Sequence, residues 1–155
     1  MIKVFFLKGR IIMSDQMMRQ EIMEAINAGE RALYSLRQAK EKLNHARTWG
    51  IVDLFGGGFF TDIMKHSKLD DAARYIEDAK YDLNVFQREI RDVSVYSDLR
   101  IELGGFLSFA DFFFDGIVAD YLVQSRIAKA RMQIDHAISE VSEALSRLRR
   151  MYDSY

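Results

Sequence analysis

Three carboxylates stand where the chain is most apolar. Asp111, Asp115 and Asp120 fall within Phe106 to Val123, and an unpaired carboxylate in such surroundings is costly enough that each needs a partner or water. Asp111 and Asp115 are i, i+4 neighbours on a helix, as are Asp62 and His66. Lys65, His66 and Lys68 form a compact basic group in an earlier glycine-flanked segment. The two segments are therefore expected to meet, pairing their charges at one end of a helical bundle. One reading is structural, an ion pair that fixes how the helices dock. Another is a polar pocket made by Lys65, His66, Asp111 and Asp115, taking an anionic ligand or using His66 with Asp111 or Asp115 for acid–base work. In a third, the charges line an exposed interface.

Other chemistry finds less support. Asp62, His66 and Asp70 are spaced i, i+4, i+8 and would offer oxygen and imidazole ligands on one face of a continuous helix. Ser67, read as the cap of a new helix, breaks that continuity. Di-metal carboxylate bundles need Glu-x-x-His pairs, and His45, His66 and His136 each lack a Glu three positions earlier. Gly56-Gly57-Gly58 could wrap a phosphate with backbone N–H groups. No Gly-Lys-Ser/Thr follows it, however, and the next residues are Phe59 and Phe60. The chain has no cysteine, and none of its serines sits in a nucleophile motif. No catalytic residue, metal or cofactor is expected, and the sequence leans away from an enzyme.

The elements that must carry these residues are helical. From Ser14 to Thr48 the positions Met18, Ile22, Ala25, Gly29, Ala32, Leu36, Ala39, Leu43 and Ala46 repeat in steps of three and four, an a/d seam that Ile26 and Leu33 widen. Ser67-Lys68-Leu69-Asp70 reads as a helix start. Behind it runs the seam Leu69, Ala72, Ile76, Ala79, Leu83, Phe86, Ile90 and Val93. A third stretch carries Ile127, Ile134, Ile138, Val141, Leu145 and Leu148, with Ala130, Ala137 and Ala144 beside them. The connections Trp49–His66 and Leu103–Ile117 are too apolar for solvated loops and must pack on something. The second is expected to form either a short helix or the first turns of the third helix with a bend at Gly116.

Composition agrees. Of 155 residues 49% are hydrophobic and 12% aromatic, enough for a core, and 22 Lys+Arg against 23 Asp+Glu give a net charge of -1. That balance, with Glu140 and Glu143 beside the basic turn of Arg147, Arg149 and Arg150, argues against nucleic-acid binding. With no proline, long helices stay unbroken. Ile101 to Val123 is long enough to span a bilayer, but Asp111, Asp115 and Asp120 would each cost about 2.5 to 3.5 kcal/mol at its centre. Met1 to Ile12 is too short to span and has no small-residue cleavage site after it. Residues 1–12 are either an edge strand or arm, or a non-native extension of a domain covering 13–155. Under the second reading, Lys8 to Ile12 is what a purine-rich ribosome-binding site ahead of a start codon at Met13 would encode.

Trp49 with Asp53 and Gly56-Gly57-Gly58, then Lys65-His66-Ser67 with Asp70 and Ala72, and later Phe109-Ala110-Asp111 with Asp115-Gly116 and Asp120, resemble a family of uncharacterised bacterial helical proteins. The resemblance spans most of Trp49 to Ala130 and implies a coiled-coil-like helical fold; it implies no substrate. The expected architecture is all-α: an elongated antiparallel bundle of three long coiled-coil-like helices with one or two short apolar helices in the connections. Such helices, roughly 27 to 40 residues or about 40 to 60 Å long, bury their apolar faces most simply by self-association. The expected protein is a cytoplasmic, non-enzymatic interaction or scaffold protein that forms a homo-oligomer and also takes a protein partner. Alternatives are the ligand-binding pocket above and an oligomer that associates with membranes.

Overall fold

The structure, a computed structural model, describes residues 4–7, 10–13, 15–56, 59–95, 100–116 and 124–155; side chains are described for 15–45, 71–94, 103–111, 113 and 128–155. Four helices carry the fold: α1 (Asp15–Gly56), α2 (Phe59–Val95), α3 (Arg100–Gly116) and α4 (Gln124–Ser154). Ahead of them β1 (Val4–Leu7) and β2 (Arg10–Met13) form an antiparallel hairpin with Val4 opposite Met13 and Leu7 opposite Arg10.

Each long helix follows from its apolar spacing. Met18, Ile22, Ala25, Ala32, Leu36, Ala39 and Leu43 of α1 are buried, and so are Ala72, Ile76, Ala79, Leu83, Phe86, Ile90 and Val93 of α2. On α4 the buried stripe is Ala130, Ile134, Ala137, Val141, Ala144, Leu145, Leu148 and Met151, while Ile138 moves to its edge. The alanines there occupy the centre of the stripe rather than lying beside it.

α1 packs against both α2 and α4, and α3 packs against the same two helices, so the four close a ring around one core. Ser35 meets Asp82 and Lys42 lies over Tyr75, so α1 and α2 run antiparallel. Lys40 pairs with Asp135 and Glu30 with Arg149, which makes α1 and α4 antiparallel as well. Leu103 and Phe106 of α3 stand beside Glu143 and Arg147, and Phe109 beside His136, so α3 runs against α4. The result is an up-down-up-down bundle with one short member.

Three expectations change. α1 continues past Thr48 to Gly56, because a lone glycine such as Gly50 costs a helix only about 1 kcal/mol. Ser67 does not start a helix: α2 begins at Phe59, and from there to Leu103 the sequence has neither Gly nor Pro to interrupt the backbone ladder. The described residues of Trp49–His66 therefore belong to α1 and α2, and only the second connection holds a separate short helix, α3. No helix among the described residues is long and apolar enough to cross a membrane.

Candidate functional site

Asp111 anchors α3 to α2. Its Oδ1 accepts one hydrogen bond from Gln87 Nε2 at 2.7 Å and another from Arg91 at 3.0 Å. Gln87 is buried at 3% exposure, whereas the Asp111 side chain is 63% exposed and Arg91 52%. The carboxylate thus satisfies an otherwise buried amide from beneath and keeps water on its other side, so it sits in an apolar helix without the cost of an unpaired charge.

Its described partners are these two groups of α2. Gln87 and Arg91 lie near the C-terminal end of α2, while Lys65 and His66 lie near its beginning, about 30 to 40 Å along the helix at 1.5 Å per residue. The side chains of Lys65, His66 and Asp115 lie outside the described residues.

A second polar cluster sits on the flank of the α1–α2 pair. Carboxylate oxygens of Glu21 and Glu24 from α1 and Glu89 from α2 lie within 4.8 Å of one another. Burial is the largest influence on Glu21 and raises its pKa above the ordinary range, reinforced by Glu24, Asp92 and Glu89. Glu89 is raised likewise, first by burial and then by Glu24 and Asp92, against the lowering influence of Arg31 and Arg88. Oxygen donors of this kind suit a hard divalent cation or a shared proton. Sequence reading missed the cluster. Its trace was Glu21-x-x-Glu24 and Glu89-x-x-Asp92, each acid one helical turn from the next on a seam's flank.

Between α3 and α4 lies a cleft of about 170 Å³ lined by Leu103, Gly105, Phe106, Glu140, Ala144 and the Glu143–Arg147 ion pair. It is smaller than the roughly 300 Å³ at which small-molecule sites begin. Beside it, the Phe109 ring meets the His136 imidazole with centroids 4.8 Å apart, and His136 Nε2 stands 3.3 Å from Glu140 Oε1. What the described groups do chemically is to tie helix to helix: Asp111 joins α3 to α2, His136 joins α4 to α3, and Ser35 joins α1 to α2. No family model matches the chain, and no curated protein or solved structure does either.

Proposed function

We propose that the protein is a non-enzymatic interaction or scaffold protein of the bacterial cytoplasm, acting through helix–helix self-association. The observation that carries this reading is the use of buried surface. The heptad-spaced seams of α1 and α2 are filled along their described lengths, from Met18 to Leu43 and from Ala72 to Val93, by side chains whose partners are other helices. A surface built on that repeat is the kind that also joins helices of separate chains, through supercoiled contacts in an elongated stack. Large apolar side chains on the outer faces supply material for it: Tyr34 and Tyr81 are each 67% exposed and Met132 is 73% exposed. The likeness to bacterial helical proteins of coiled-coil type belongs to the same reading.

The test is light scattering over a hundredfold range of concentration, with small-angle scattering for shape. A mass of two or more chains, reduced in a Tyr34→Lys, Tyr81→Lys, Met132→Lys variant that keeps its helicity, supports the proposal. A single-chain mass at every concentration overturns it.

A further inference from the structure

α3 is the least secured of the four helices. It spans 17 residues, against 42, 37 and 31 for α1, α2 and α4. Its buried face is one stripe, Leu103, Phe106, Ala110 and Phe113. α1 packs on both α2 and α4 more extensively than α3 does, so those three helices remain joined through α1 whether or not α3 is seated. The tie between Asp111 and Arg91 lies mostly in solvent, where such pairs hold weakly. Lifting α3 away also returns the Gln87 amide to water rather than stranding it. Between α3 and α4 the packing is incomplete, leaving the cleft of about 170 Å³ beside Leu103, Gly105 and Phe106. Inside α3, Gly104 and Gly105 weaken the helix itself. A Cβ built on either meets no atom within 4 Å, so no close neighbour calls for a glycine there. Each nonetheless carries the entropic penalty of a glycine in a helix interior.

We propose that α3 is a releasable strap, which undocks and unwinds as a unit while α1, α2 and α4 stay packed, and that Gly104 and Gly105 keep this release easy. Once off its seat, a segment of 17 residues with two interior glycines does not hold a helix in water, so undocking and unwinding are one event. Release bares the Phe86 ring of α2, on which Phe106 rests at 4.9 Å, and Ala144 of α4, which lines the cleft. The strap thereby governs when this apolar face meets solvent. Elements that move in this way are drawn from the least stable parts of a fold.

The test is native-state amide hydrogen exchange on the full chain, each rate divided by its intrinsic rate, in wild type and two variants. Ile76 is buried in α2, about 16 Å along the helix from Gln87. Ile76→Val should lower protection of the slowest α1 and α4 amides roughly two- to tenfold and leave that of α3 unchanged, because α3 exchanges before that region opens. Gly104→Ala combined with Gly105→Ala should raise protection of α3 about tenfold or more. The slowest amides should rise by the same factor, since every more open state also lacks a seated α3. If α3 matches the slowest amides in wild type and falls with them in Ile76→Val, it opens only with the whole molecule and the proposal is overturned. Unchanged α3 protection in the alanine variant overturns the role given to the two glycines.

Discussion

The ring of Phe86 in α2 rests where a side chain on Gly29 of α1 would be. A Cβ built on Gly29 would stand 2.8 Å from Phe86 Cε1 and 2.6 Å from Leu145 Cδ2 of α4, closer than real Cβ atoms come. One glycine thereby admits two helices at once. Gly29→Ala should gain up to about 1 kcal/mol in helix propensity and lose about 1–3 kcal/mol to overpacking against the rigid ring. A net loss of about 1–2 kcal/mol is expected in urea denaturation. An unchanged or higher midpoint would show that the hole is not needed.

Asp111 and Arg91 should differ in what their removal costs. Asp111→Ala strips the buried Gln87 amide of its acceptor, a loss of about 1–3 kcal/mol. Arg91→Ala breaks only a solvent-exposed pair, worth about 0–1 kcal/mol. Equal losses in denaturant titrations of the two variants would mean that Gln87 finds another acceptor when Asp111 is gone.

Acid should help the flank of α1 and α2. Folding raises the pKa of Glu21 and Glu89 by burial and by their acidic neighbours. Their contribution is therefore fully present below the unfolded carboxyl pKa and lost as pH rises through the raised folded values. Above those raised values the charged carboxylates oppose folding. Glu21→Gln or Glu89→Gln should then stabilise the protein at pH 7 by a few tenths of a kcal/mol, since both sites are only partly buried. The gain should vanish below pH 4. Thermal melts of the three proteins at pH 4, 5.5 and 7 check the sign, and a variant less stable than wild type at pH 7 contradicts it.

Leu36 and Leu83, chosen from the seams alone, would be natural places to break an oligomer. Both are fully buried inside the chain's own bundle. Leu36→Asp or Leu83→Asp should therefore unfold the monomer, because each puts an unpaired carboxylate in the core. Circular dichroism at 25 °C should show the loss of helix. A variant that stays helical while its mass falls would place that leucine between chains instead.

The helices were legible where apolar residues recur every three or four positions, and almost every described seam position from Met18 to Val93 is buried as its spacing requires. Gly29 was legible as a seam position too, though not the two side chains that fill its space. Helix boundaries were harder to read. Ser67 carries a local capping signal, but a serine inside a helix is tolerated when flanking turns continue the ladder, as they do from Phe59 onward. Partners across helices could not be read at all. Asp111 reaches Gln87 because of where α3 turns back, and Glu21 meets Glu89 because of how α1 and α2 align. Both depend on contacts distant in sequence, which periodicity does not encode.

The glycine at position 29 also decides which of several similar alignments survives. Two helices with a seven-residue repeat can slip past each other by one heptad and still present an apolar stripe. Such a slip would carry Phe86 onto Ile22 or Leu36, where the α1 surface bulges instead of yielding, and Asp82 would leave Ser35 behind. Misthreaded pairings are thus penalised twice, by a ring with nowhere to go and by a carboxylate deprived of its hydroxyl.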